Sequence, residues 1–107
     1  MYKKVKLLLR ELGVNMKYKG YYYLISGVDI ALSESEGEIH ITKSIYPKIA
    51  VRNDVKPYNV EQNIRTAVIR AWSYNKALVE EMCGEKLDIA PSNTDFIGAM
   101  ALYIRNH

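Results

Sequence analysis

The segment IYPKIAVRNDVKPYNVEQNIRTAVIRAWS, residues 45–73, carries the most informative pattern in the sequence. Two apolar segments with helical spacing flank a short polar turn within it. Ala50 is small enough to let two helices cross closely, and Val55 and Val60 follow at the spacing that fills the angle between them. The pattern predicts a helix-turn-helix whose second helix begins at Pro57. Three-helix cores that never contact DNA share this spacing, so the pattern alone leaves the function open.

Outward from this stretch, each apolar pattern repeats at the helical period, and no β-type alternation exceeds four residues. Pro47 lies inside the third predicted helix, residues 41–49, and must either kink that helix or begin a fresh turn. The second predicted helix, residues 21–32, is expected to fade into the polar residues 33–38. The predicted fold class is all-α, a compact bundle of five to six helices containing a helix-turn-helix. The predicted segments are residues 5–12 closed by Gly13, 21–32 opened by Gly20, 41–49, 57–75, 77–83 closed by Gly84, and a last helix after a capping box of Ser92 and Asp95.

The length of 107 residues corresponds to a single domain, residues 1–107. Its 49% apolar and 25% charged residues are typical of a folded globular chain. The one cysteine, Cys83, cannot form an internal disulfide, and with only His40 and His107 beside it neither a metal site nor a cofactor is expected. No segment has the roughly 20 consecutive apolar residues of a membrane span, and the apolar run near the start is too short for a signal peptide. We therefore expect a cytoplasmic protein.

Charge alternates in blocks along the chain, and the middle block is the strongest candidate for a surface that faces a polyanion. Residues 41–76 contain seven lysines and arginines against two acidic residues, a net charge of +5. Residues 1–20 also carry +5, whereas residues 21–40 and 77–95 each carry −4. A solvated helix face without any partner is the alternative interpretation of the middle block. The predicted phosphate contacts are Lys43, Lys48, Arg52, Lys56, Asn59 and Arg70.

A helical projection of residues 57–73 separates the predicted recognition helix into a core face and an outer face. The outer face carries Gln62, Thr66, Ile69 and Ser73, with Arg65 at its edge. Glutamine can pair with the edge of adenine, arginine with that of guanine, and threonine offers a hydroxyl or a methyl group. These residue types suit the major groove of DNA, although a solvated polar face has the same composition.

Other chemistries have weaker support in the sequence. Residues 21–23 are three consecutive tyrosines, but helical spacing sends their rings in different directions, so at least one is expected in the core rather than stacked on a base. Glu80 and Glu81 are adjacent and lie about 100° apart on a helix, which does not form the opposed carboxylates of a hydrolase. Cys83 is interpreted as a small buried apolar residue. An enzyme is not expected.

Several motifs, in order and nearly without gaps from about residue 11 to residue 105, resemble the C-terminal DNA-binding domains of the stage zero sporulation protein A family. These motifs are Gly20-Tyr21-x-Tyr23-Leu24, Thr42-Lys43, Tyr46-Pro47-x-Ile49-Ala50, Val60-Glu61, Ile64-Arg65, Ala71-Trp72-Ser73 and Pro91-x-Asn93-x-x-Phe96-Ile97. The resemblance implies a six-helix effector domain that binds tandem DNA boxes as a head-to-tail homodimer and both activates and represses transcription. It also implies double-stranded DNA and a sigma factor of RNA polymerase as partners.

The same resemblance implies that residues 57–75 form the recognition helix. Glu61 and Arg65 stand where the family places groove-facing residues. With Gln62 and Thr66, they complete the set of four predicted base-reading residues. We therefore expect a sequence-specific DNA-binding transcriptional regulator.

Departures from the family pattern qualify this expectation. Gln62 replaces a second recognition arginine and Thr66 replaces a histidine, so the base preference is expected to differ. Asn53 and Asn63 stand in place of an aromatic residue and an alanine, which suggests looser or wetter packing. The family's phosphoacceptor receiver domain has no counterpart in this sequence, which leaves two alternatives, an excised domain or a naturally short homologue. Met1 leading into a helix favours the second, a free-standing protein. The alternative function is a protein-interaction module that modulates a full-length homologue without binding DNA tightly.

Overall fold

The computed structural model describes residues 2–34 and 39–107, and within them all regular structure is helical. The predicted all-α bundle is therefore confirmed. Residues 35–38, which include Glu36 and Glu38 of an acidic block, lie outside the described residues, as does Met1. The helices are α1 Tyr2–Glu11, α2 Lys19–Glu34, α3 Ile45–Asn53, α4 Pro57–Tyr74, α5 Lys76–Cys83 and α6 Asn93–Asn106.

The helix α2 lies at the centre of the bundle and packs against α1, α3, α4 and α6. Its sequence explains this position, because apolar and small residues surround most of the helix instead of forming a single stripe. Leu24 and Val28 of α2 are fully buried together with Ile49 of α3, Ile64 of α4 and Phe96 of α6. The core is therefore continuous from the predicted helix-turn-helix to the closing helix.

Most predicted boundaries hold, and the main differences lie around α2 and α3. The second helix is longer than residues 21–32 and still includes Glu34. The third helix begins only at Ile45, so Ile41 precedes it and packs against the core from an irregular segment. Pro47 is the third residue of α3, where its missing N–H removes no helical hydrogen bond. It therefore belongs to a fresh first turn and not to a kink.

Gly20 is the second residue of α2, and it permits a close approach of α4. A β-carbon on Gly20 would lie 2.4 Å from the carbonyl oxygen of Asn63 and 2.8 Å from the β-carbon of Ala67. Both neighbours belong to α4, and the nearer atom is backbone, which cannot move aside as a flexible side chain can. Only glycine at this position allows the two helices to touch in this way.

Replacing Gly20 by alanine is expected to lower the free energy of unfolding by about 1 to 3 kcal/mol, because α2 and α4 must separate to admit the methyl group. Gly98→Ala is the matched control. A β-carbon on Gly98 would come no closer than 3.4 Å to Ile41, which is ordinary contact, and removing a helical glycine favours folding by up to about 1 kcal/mol. Urea unfolding followed by circular dichroism measures both. Equal unfolding midpoints for the two variants would contradict the close approach.

Candidate nucleic-acid interface

A three-residue turn, residues 54–56, joins α3 to α4. Asp54 adopts the left-handed conformation with φ of 53°, and its N–H donates to the carbonyl groups of Ala50 and Val51. The N–H of Val55 also donates to the carbonyl of Ala50, at 3.0 Å. Aspartate tolerates a positive φ better than most residues. The turn thus closes α3 and starts α4 within a few residues, with Ala50 and Val60 both buried at the crossing.

Two asparagines on these helices obtain partners from the protein, although the sequence suggested looser or wetter packing. The Nδ2 atom of Asn53 donates to Ser26 Oγ of α2 at 3.0 Å and to the carbonyl of Ile49 at 2.9 Å. The Nδ2 atom of Asn63 donates to the carbonyl of Asn59 at 2.7 Å. Across the described residues, no buried side-chain nitrogen or oxygen is left without a hydrogen bond. Asn53 therefore ties α3 to α2.

The outer face of α4 is as the helical projection predicted, because Gln62, Thr66, Ile69 and Ser73 are all exposed. The hydroxyl of the exposed Thr66 donates to the carbonyl of Gln62 at 3.2 Å, so its oxygen can still accept a hydrogen bond. The side-chain amide of Gln62 makes no hydrogen bond to the part of the chain that the structure describes. The side chain of Glu61 is exposed beside this face.

Arg65 lies half-buried at the edge of the outer face, where contacts from α6 hold it. Its Nη1 atom donates to the carbonyl of Pro91 at 2.8 Å and lies 3.5 Å from Oδ1 of Asn93. Asn93 is only 6% exposed, and its Nδ2 atom donates to the carbonyl of Glu61 at 3.0 Å. A guanidinium has five N–H donors. The donors on Nε and Nη2 of Arg65 therefore remain available while Nη1 is anchored.

The two cations predicted on α3 both form ion pairs with α2. Lys48 Nζ lies 2.6 Å from an oxygen of Glu34, and Arg52 Nη1 lies 2.5 Å from an oxygen of Asp29. Their side chains remain 49% and 44% exposed. Neither cation is therefore uncompensated in the protein alone.

The remaining predicted phosphate contacts lie at separate places. Lys56 and Asn59 are exposed at the N-terminal end of α4, and Lys43 is exposed just before α3. Arg70 instead faces α1, since its Nε atom donates to the carbonyl of Gly13 at 2.9 Å and its guanidinium lies 4.5 Å from the ring centre of Tyr74. Arg70 is therefore anchored against the α1 side, in the C-terminal half of α4, whereas Lys56 and Asn59 lie at its N-terminal end.

A comparison with protein families decides what kind of domain carries this arrangement. The chain matches the family model described as "Sporulation initiation factor Spo0A C terminal" over residues 5–104, a range that includes parts of all six helices. The chain belongs to this family. It is thus a DNA-binding domain of the sporulation-regulator type, and the family is not one of known enzymes. The resemblance seen in the sequence is confirmed.

Two exposed residues of this family member were missed by the sequence reasoning. Tyr58, the second residue of α4, is 70% exposed, and Val51 of α3 is 83% exposed. Tyr58 lies one helical turn before Gln62, so the helical projection contained the signal that places it on the outer face. No sequence pattern marked Val51, because an exposed apolar residue on a short helix resembles a core position.

The residues considered for other chemistry occupy structural positions. Tyr21 and Tyr23 are buried, and Tyr22 is partly exposed with its ring packed edge-on against that of Tyr21. Burial raises the pKa of the Cys83 thiol, and the nearby carboxylates of Asp95 and Glu85 raise it further. A thiol of this kind is a poor nucleophile at neutral pH.

The described residues contain no group of three or more histidine, cysteine, aspartate and glutamate side chains that could hold a metal ion. Among these residues there is also no helix long and apolar enough to cross a membrane.

Asn93→Ala is expected to lower the free energy of unfolding by about 1 to 3 kcal/mol, because it removes a buried hydrogen bond to α4 and a polar neighbour of Arg65. Asn106→Ala, in the exposed last turn of α6, is the control and is expected to change it by less than about 0.5 kcal/mol. Thermal unfolding without DNA measures both. A melting temperature for Asn93→Ala equal to that of the control would show that this contact does not hold α4.

Proposed function

We propose that this domain is a sequence-specific transcriptional regulator that reads the major groove of double-stranded DNA with α4. The observation that carries the proposal is the outer face of α4, where Gln62 and Thr66 are exposed and Arg65 is held at the edge with free donors. Four neighbouring helices, α2, α3, α5 and α6, pack against α4. A face of groove-compatible residues on a rigid helix is what base reading requires.

Each proposed base-reading residue has a chemical role. The free amide of Gln62 can pair with N6 and N7 of adenine. The remaining donors of Arg65 can pair with O6 and N7 of guanine, and the carboxylate of Glu61 can accept from N4 of cytosine. The methyl group of Thr66 suits the methyl group of thymine. Because Arg65 is already anchored, its binding to a base loses less side-chain entropy than binding by a mobile arginine.

The proposed phosphate contacts divide into two kinds. Lys56 and Asn59 stand at the N-terminus of α4, where a phosphate also meets the favourable end of the helix dipole. Lys48 and Arg52 must exchange Glu34 and Asp29 for phosphate oxygens. Exposed ion pairs contribute only about 0 to 1 kcal/mol each, so breaking them costs little free energy. The cost still reduces the net binding free energy that each of these phosphate contacts contributes.

The family also supports finer proposals about partners. We propose that two copies bind tandem DNA boxes head to tail, that a sigma factor of RNA polymerase contacts the DNA-bound domain, and that the protein acts in the cytoplasm. These proposals rest on family membership alone.

A second candidate function, a protein-interaction module that modulates a homologue without binding DNA tightly, is favoured by one observation. The ion pairs of Lys48 and Arg52 compensate two of the cations that DNA binding would use. The side chains of Lys56 and Gln62 have no hydrogen-bond or ion-pair partner among the described residues, and this favours DNA binding instead.

Binding of the purified domain to a duplex that carries the family's box is expected to weaken steeply as salt rises. The log-log slope should be about −0.9 for each phosphate contacted, because condensed counterions are released. A scrambled duplex of equal length is expected to show a similar slope with weaker binding at every salt concentration. Fluorescence anisotropy at several salt concentrations measures both. A slope near zero would favour the protein-interaction module.

Gln62→Arg is expected to raise affinity for the family's box by roughly ten- to a hundredfold. The reason is that an arginine makes a bidentate contact to guanine worth about 1 to 3 kcal/mol, which glutamine cannot reproduce. Unfolding should change little, since the side chain is exposed. Selection of sites from random DNA, run with both proteins, measures the preference. Identical selected sites and affinities would mean that Gln62 does not read bases.

A further inference from the structure

A groove of about 720 Å³ runs between α1 and the C-terminal half of α4. We propose that this α1 groove, lined by Lys3, Lys6, Leu7, Arg10, Arg70 and Tyr74, is a second contact site for the phosphate backbone of DNA. This inference rests on the proposed function, because it assumes that α4 lies in the major groove. It assigns a role to the first basic block of the chain, which the predicted phosphate contacts did not include.

The charge of the groove is uniform. Lys3, Lys6 and Arg10 follow one another at helical spacing on one face of α1, and Arg70 faces them from α4. No carboxylate lines the groove within the described residues. Lys3, Lys6 and Arg10 are exposed and have no ion-pair partner in the part of the chain that the structure describes. In this they differ from the paired cations of α3.

This difference matters for polyanion binding. A phosphate that binds Lys48 or Arg52 must first displace a carboxylate. A phosphate that binds the α1 cations displaces only water and mobile counterions, and counterion release is the main source of salt-dependent affinity for DNA. The α1 groove is therefore a better phosphate site than the paired cations Lys48 and Arg52 of α3.

Arg70 is held in the orientation that such a site needs. Its Nε atom is bound to the carbonyl of Gly13, and its guanidinium lies over the ring of Tyr74. The N–H groups on its two Nη atoms have no protein partner among the described residues. Gly13 has φ of 75°, and a β-carbon there would lie 2.4 Å from the Tyr74 ring. The tight contact of Gly13 with this ring thus keeps the guanidinium fixed.

The groove also lies on the correct side of α4. Arg70 is eight residues after Gln62, which places it about 80° around the helix and about 12 Å further along its axis. The major groove is about 12 Å wide and has a phosphate backbone along each edge. A helix that presents Gln62 to the bases therefore carries Arg70 and the α1 cations towards one of these edges. Leu7 and Tyr74, 49% and 57% exposed, add apolar surface to the groove. An acidic protein segment is therefore the alternative ligand that the test must distinguish from DNA.

The test compares the wild-type domain with a variant that carries Lys3→Gln, Lys6→Gln and Arg10→Gln. The control carries Lys4→Gln, Lys86→Gln and Arg105→Gln, which remove the same charge from exposed residues outside the groove. All six residues are exposed, so both variants are expected to melt at the wild-type temperature. The salt dependence of binding to the box duplex is measured for each protein, and poly-L-glutamate serves as a second ligand.

The α1 variant is expected to reduce the magnitude of the log-log salt slope by about two to three units, close to 0.9 for each lost phosphate contact, while base preference stays unchanged. The control should reduce it by less than one unit. A steep wild-type slope that the α1 variant leaves unchanged would overturn this inference and leave the proposed function standing. Loss of poly-L-glutamate binding without a change in the DNA slope would also overturn it, since the groove would then be a protein site. A flat wild-type slope would overturn both proposals.

Discussion

Gly20 of α2 lies so close to the backbone of Asn63 on α4 that a β-carbon on the glycine would come within 2.4 Å of the carbonyl oxygen. The proposed DNA face depends on this approach, because it sets the position of α4 on the central helix of the bundle. Interfaces packed at this distance admit few alternative arrangements. The position of α4 on α2 is therefore set by a backbone contact that adjustable side chains cannot relieve.

Two further sets of hydrogen bonds hold the sides of α4, and each includes an arginine of this helix. On the α6 side, Asn93 binds the helix backbone and Arg65 binds the carbonyl of Pro91. On the α1 side, Arg70 binds the carbonyl of Gly13. Both guanidinium groups join the helix to its neighbours and still retain donors that have no partner among the described residues. The same side chains thus stabilise the bundle and keep N–H groups available for a ligand.

The sequence predicted the helices and the outer face well, because both depend on local patterns. Periodic apolar residues marked the six helices, Gly84 marked the end of α5, and the capping box at Ser92 marked the start of α6, where its hydroxyl accepts from the N–H of Asp95. The third helix was predicted at residues 41–49 but spans Ile45–Asn53, because Ile41 keeps the apolar spacing although it lies before the helix. A buried residue in an irregular segment can thus fall on the helical period without being helical.

The contacts across the fold were not predictable in the same way. Arg65 and Asn93 are 28 residues apart, and Arg70 and Gly13 are 57 residues apart, so no local spacing connects them. The pairing of Lys48 and Arg52 with α2 carboxylates was likewise invisible to a count of charges along the chain. The net charge of a sequence segment shows how many cations it holds, but it does not show which of them form ion pairs with carboxylates elsewhere in the fold.

Methylation protection can show whether α4 lies in the major groove of DNA, as we propose. Dimethyl sulfate methylates N7 of guanine in the major groove and N3 of adenine in the minor groove. On a duplex selected by the wild-type domain, bound protein is expected to protect guanine N7 within the selected site and to leave adenine N3 reactive. Protection of adenine N3 alone, or of neither position on a saturated duplex, would contradict it.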